Sequence, residues 1–96
     1  MLVLITYDVN TETPEGRKRL RQVSKTCQNY GQRVQNSVFE CEVDAGQLLK
    51  LKDRLTLLLN QETDSLRFYN LGNNGSAKVE HFGAKPSFDV SDPLIV

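Results

Sequence analysis

The chain has 96 residues, room for one domain, and its twelve Lys and Arg balance twelve Asp and Glu, so no net field marks it as a nucleic-acid binder. No apolar run approaches the roughly 20 residues that span a bilayer, and the apolar start, Met1 to Ile5, is too short and lacks the basic flank of a secretory signal. A cytoplasmic chain with no membrane partner is expected, and self-association is the remaining way for so small a chain to bury more surface.

Residues 2–8, Leu-Val-Leu-Ile-Thr-Tyr-Asp, form a strand that is apolar on both faces, as in the middle of a covered sheet. The strand ends at Asp8, and a polar loop follows to Thr13. Thr13 caps a helix that Pro14 opens; Leu20, Val23, Cys27 and Tyr30 are its buried stripe, and Gly31 is its expected stop. Residues 32–43 then split into two short antiparallel strands at a bend, Asn36-Ser37. In the second strand Phe39, Cys41 and Val43 alternate with Val38, Glu40 and Glu42. Cys27 and Cys41 lie in apolar segments with no CxxC or Cys/His grouping and read as buried reduced thiols.

Asp44 and Gln47 have capping-box spacing at the head of a second helix, whose apolar stripe is Leu48, Leu51, Leu55, Leu58 and Leu59. Residues 65–71 are the next strand, Asn73-Asn74-Gly75 is a hairpin signal, and 77–83 is the return strand. The order is that of a ferredoxin-like βαββαβ sandwich of class α+β over 1–83. A C-terminal extension, 84–96, adds a strand and packs at a dimer interface. Both helices lie on one sheet face; a second copy of the chain, related by a twofold axis, is the simplest cover for the other.

Charge is unevenly spread. Arg17, Lys18, Arg19, Arg21 and Lys25 fall between Gly16 and Thr26 with no acid among them. Arg17, Arg21 and Lys25 share one side of the helix, with Lys18 beside them. Such a row either tracks phosphates or is a solvated face, and its single sign favours phosphates. Asp8, from spacing alone, starts a solvated loop or caps a turn. Tyr7, on the other side of the strand, either orients a phosphate or is a half-buried strand residue. Ser37 offers a hydroxyl to a phosphate or simply serves the turn. His81, the only histidine, reads as a surface or packed residue. There is no Gly-rich phosphate loop, zinc pattern, nucleophile elbow or RNP1 motif.

The start Leu-Ile-Thr-Tyr-Asp-Val, the basic helix, the run Arg33-Val34-Gln35-Asn36-Ser37-Val38-Phe39 and the later Asp64-Ser65-Leu66-Arg67-Phe68-Tyr69 together resemble the CRISPR-associated protein 2 family, in the right order over nearly the whole chain. The resemblance implies a ferredoxin-like homodimer that partners the spacer integrase when new spacers are captured. It implies a metal-dependent endonuclease acting on duplex DNA or on RNA, or a DNA-binding scaffold. It carries Asp8 over as the catalytic metal ligand for magnesium, with manganese as an alternative. Arg17, Arg19 and Arg33 carry over as phosphate binders, and Phe39 as a site position that also reads as core. One aspartate per chain is thin for magnesium, but a twofold axis near the first strand brings two copies of Asp8 together. Duplex DNA is the favoured substrate, because the chain lacks the exposed aromatic platform of a single-strand RNA binder. At the level of fold alone, a small-ligand regulatory module or a toxin-like ribonuclease has the same topology.

Overall fold

In the computed structural model, which describes residues 1–72 and 78–84, the doubly apolar strand β1 (Leu2–Asp8) lies at the centre of the sheet. After it come α1 (Pro14–Gln28), β2 (Gly31–Gln35), β3 (Val38–Glu42), α2 (Ala45–Leu58), β4 (Ser65–Asn70) and β5 (Lys78–Gly83). The strands run in the order β2-β3-β1-β4-β5, and every neighbouring pair is antiparallel. The first six elements are the expected ferredoxin-like sandwich, with β5 added beside β4. The Asn73-Asn74-Gly75 turn and residues 85–96 lie outside the described residues, and with them the predicted strand of the extension. Among the described residues, no helix is long and apolar enough to cross a membrane.

Strand alternation divides the sheet into two faces. Val3, Ile5 and Tyr7 are buried with Phe39, Cys41, Leu66 and Phe68 beneath the helices, against Val23 and Cys27 of α1 and Leu48, Leu51 and Leu55 of α2. Leu2, Leu4 and Thr6 take the other face and are only partly covered. On that face Thr6 pairs with Arg67, and Arg67 with His81. Arg67 Nε donates to His81 Nδ1 at 3.1 Å and Arg67 Nη1 to the Tyr69 hydroxyl at 3.2 Å. His81 Nε2 lies against the Ala84 carbonyl and donates to it, which leaves Nδ1 as the acceptor for Arg67. His81 is thus a packed residue.

Local signals built the helices as expected. The Thr13 side chain accepts from the Gly16 N–H with Pro14 behind it, and Asp44 and Gln47 form the full capping box. Gly31 departs from expectation. The helix stops at Gln28, with Asn29 as its cap, and Gly31 opens β2. Its glycine character answers a strand contact: a Cβ there would lie 2.2 Å from the Glu40 carbonyl oxygen and 2.6 Å from Cys41 Sγ. Gly83 needs glycine twice over, with φ at 94° and the Asp64 carbonyl oxygen 2.2 Å from a hypothetical Cβ.

Candidate functional site

Asp8 is the last residue of β1 and is exposed. By alternation its carboxylate belongs to the face away from the helices. Its register partner on β4 is Ser65. On the other side, the Tyr7 N–H donates to the Ser37 carbonyl at 3.1 Å, which draws the 36–37 turn alongside the strand end. Asp8 and Ser65 therefore share one end of the sheet, with the Ser37 backbone held beside Tyr7.

Tyr7 does not join them. Its ring is buried and stacks on Phe39 with centroids 6.1 Å apart, and its hydroxyl shares a 2.8 Å hydrogen bond with Ser24 Oγ of α1. The arrangement offers no Tyr7 hydroxyl to a phosphate; the half-buried reading understated its burial. Phe39 is wholly core, and the exposed Arg33 guanidinium lies 5.3 Å from its ring centroid, a cation–π contact on the helix side of the edge strand.

Arg17, Lys18, Arg21 and Lys25 are all exposed on α1. Among the described residues none of them makes an ion pair, and the one recorded hydrogen bond is from Arg17 Nη1 to the Thr11 carbonyl at 3.2 Å. Four-residue steps rise about 6 Å along a helix, so Arg17, Arg21 and Lys25 form an open row of cations. The row and Asp8 sit on opposite sides of the sheet layer. The fold does not assemble them into one pocket.

Arg19 stands apart from that row. Its Nε donates to Asp64 Oδ2 at 2.8 Å, with only 21% of the side chain exposed and none of Asp64. Asp64 also accepts from the Asn10 N–H, the Asn60 N–H and the Thr63 hydroxyl. Burial pushes the Asp64 carboxyl up, but the Arg19 guanidinium and these donors outweigh it and hold the group below the usual carboxylate range. Asp64 was missed as an individual residue by sequence reasoning. Its partners Asn10 and Arg19 are 54 and 45 residues away, and the single hint was its place at the head of a family-like run.

Among the described residues, no three His, Cys, Asp or Glu side chains gather as a metal site. Asp8 supplies one exposed carboxylate, with Ser65 as its register partner. That donor set suits a hard, oxygen-seeking ion that keeps several waters, such as magnesium, when a second carboxylate is added.

Comparison with known proteins bears on this geometry. The family model of the CRISPR associated protein Cas2 matches residues 1–79. The chain belongs to this family. A relative from Halalkalibacterium halodurans, named CRISPR-associated endonuclease Cas2, is 68% identical over 95 residues and 99% of each chain. Another from Chlorobaculum tepidum, named CRISPR-associated endoribonuclease Cas2, is 60% identical over 96 residues and the full length of both. The crystal structure of Streptococcus pyogenes Cas2 at pH 6.5 superposes with a TM-score of 0.71 at 64% identity, covering 77% of this chain and 89% of that one. The Cas2 fold and the five-stranded sheet described above agree.

Proposed function

We propose that this Cas2-family chain is a magnesium-dependent endonuclease of CRISPR spacer acquisition that works as a homodimer and cuts phosphodiester bonds at Asp8. The observation that carries this is the exposed Asp8 carboxylate at the end of the central strand, on the face opposite the helices and beside Ser65. A second copy packed on that face covers Leu2 and Leu4 and brings two Asp8 carboxylates together. The pair would hold Mg2+, or Mn2+ in its place, with other positions left to water and substrate phosphate. When bound, the ion supplies Lewis-acid polarisation of the phosphate and a more acidic water. The chain's own part is positional: Asp8 presents the carboxylate from the strand end, and the Ser65 hydroxyl beside it would donate to phosphate oxygens.

Duplex DNA is the proposed substrate. No aromatic side chain is exposed among the described residues, so no platform for stacking unpaired bases exists there. The α1 row instead contacts phosphates without reading bases. The relatives named endoribonucleases favour RNA as a second substrate reading. The α1 row, open and without ion pairs among the described residues, also favours a second role, an adaptor that holds duplex DNA for the spacer integrase with no cleavage of its own.

The test is cleavage of labelled duplex DNA and of single-stranded RNA by wild type and Asp8→Ala, with magnesium and with EDTA. Loss of cleavage in both the variant and the chelated sample supports a metal nuclease at Asp8, and the cleaved strand names the substrate. Duplex binding with no cleavage by wild type overturns the nuclease and leaves the adaptor.

A further inference from the structure

Arg19 carries the family resemblance of a phosphate binder, yet its surroundings are those of a structural charge pair. Both oxygens of Asp64 are filled by donors. Oδ2 accepts from Arg19 Nε at 2.8 Å and from the Asn60 N–H at 3.0 Å; Oδ1 accepts from the Asn10 N–H at 2.9 Å and from Thr63 Oγ1 at 3.1 Å. The Asp64 side chain is wholly buried, and Arg19 is the cation paired with it. Turning Arg19 out to a phosphate would leave a buried carboxylate without its counter-charge, a strongly unfavourable state.

The location of this node gives it a use. Asn10 follows Asp8 by two residues, and Asp64 directly precedes Ser65, the ladder partner of Asp8. The Asp64 carbonyl also accepts from the Ala84 N–H at 2.8 Å, just beyond the end of β5. The Asp64 carboxylate thus ties together the chain leaving β1, the chain entering β4 and the first half of α1, and the backbone carbonyl of the same residue holds the end of β5. All three strand ends lie at the Asp8 edge of the sheet.

We propose that Arg19 and Asp64 are a positioning pair that fixes the strand ends around Asp8, so that Arg19 serves the site through Asp64 and holds no phosphate. The functional half of this rests on the Asp8 nuclease reading; the structural half does not. Neither residue touches the reacting atoms. Asp64→Asn is a sharp perturbation, because whichever oxygen becomes an amide then faces two donors.

The experiment compares full-length Arg19→Ala, Asp64→Asn and Arg21→Ala with wild type. Three quantities are read: the slope of log binding constant against log salt for a labelled duplex and a labelled single-stranded RNA, amide hydrogen exchange at Asn10, and kcat and KM for cleavage. Arg21→Ala, which removes a phosphate contact, should shallow the slope by about 0.9 on duplex or about 0.7 on a single strand. Arg19→Ala should leave the slope at the wild-type value and speed exchange at Asn10. Arg19→Ala and Asp64→Asn should each lower kcat by about 100-fold, the scale of an ångström's misplacement, with KM little changed. A chain carrying both Arg19→Ala and Asp64→Asn should fall no further than either single variant. A slope lost in Arg19→Ala as in Arg21→Ala, with Asn10 exchange unchanged, overturns the proposal. If Asp64→Asn does not fold, Arg19→Ala alone still decides through slope and exchange. Persistent cleavage by Asp8→Ala sinks the nuclease reading and not the pair, because slope and exchange do not depend on cleavage.

Discussion

Converting Arg17, Arg21 and Lys25 together to Gln probes the α1 row directly. The three side chains are exposed and make no ion pair among the described residues, so their loss breaks no internal contact beyond the Arg17 bond to the Thr11 carbonyl. If each neutralises one duplex phosphate, each releases about 0.9 of a counterion, and the slope of log binding constant against log salt should shallow by about 2.7. Between 50 and 200 mM salt, wild type should then lose about 40-fold more affinity than the triple variant. The assay is fluorescence anisotropy of a labelled duplex across that range, with circular dichroism to show that the fold is kept. Gln retains good helix propensity, so α1 should persist. Asp8→Ala should leave the slope unchanged, since Asp8 lies across the sheet from the row. A triple variant with the wild-type slope refutes phosphate contact by α1, and the row is then only a solvated face.

Gly31→Ala should destabilise the fold by about 1–3 kcal/mol, read as a lower urea midpoint, because the new Cβ meets the backbone oxygen of Glu40 at 2.2 Å; an unchanged midpoint would show that β2 and β3 can separate freely. The Asp64 carboxyl is held below its ordinary value, so its contribution to stability is complete above the unfolded carboxylate range, about pH 4, and is lost as pH falls through the lowered folded value. The gap in urea midpoint between wild type and Arg19→Ala should therefore narrow as pH is taken from 5 to below 3, and a constant gap would contradict the linkage. Burial pushes the Cys27 thiol up to about 12 and the Cys41 thiol up to about 11, the latter with Glu40 adding to the effect. Neither should react with a thiol reagent at pH 8 in the native protein, and both should label in urea; rapid native labelling would show the core to be open.

What was legible in the sequence was local or periodic. The caps at Thr13 and Asp44, the alternation of Phe39 and Cys41, and the doubly apolar β1 depend on neighbours within a few residues, and each formed where its pattern lay. Gly31 was misread because a helix stop and a close strand crossing both call for glycine, and only the fold shows which constraint applies. Arg19 lies in the same single-signed stretch as Arg17 and Arg21, and the family resemblance makes it a phosphate binder. Its turn toward the core depends on Asp64, which no window around residue 19 contains. Tyr7 looked half-available for a similar reason: its partners Ser24 and Phe39 come from other elements.

The separation of Asp8 from the α1 row has a consequence for the two proposed roles. A carboxylate at the strand end is sensitive to ångström-scale changes in β1, β4 and the 36–37 turn, because metal chemistry depends on donor geometry. A row of exposed cations is tolerant, since counterion release depends on how many phosphates are neutralised and not on a fixed contact geometry. On the proposed reading, cutting and holding fall to different faces under different constraints. If so, either should be removable by substitution without disturbing the other. On that reading, a variant of this chain that loses the geometry around Asp8 should still hold duplex DNA, whereas one that loses the row should keep its chemistry and bind its substrate weakly.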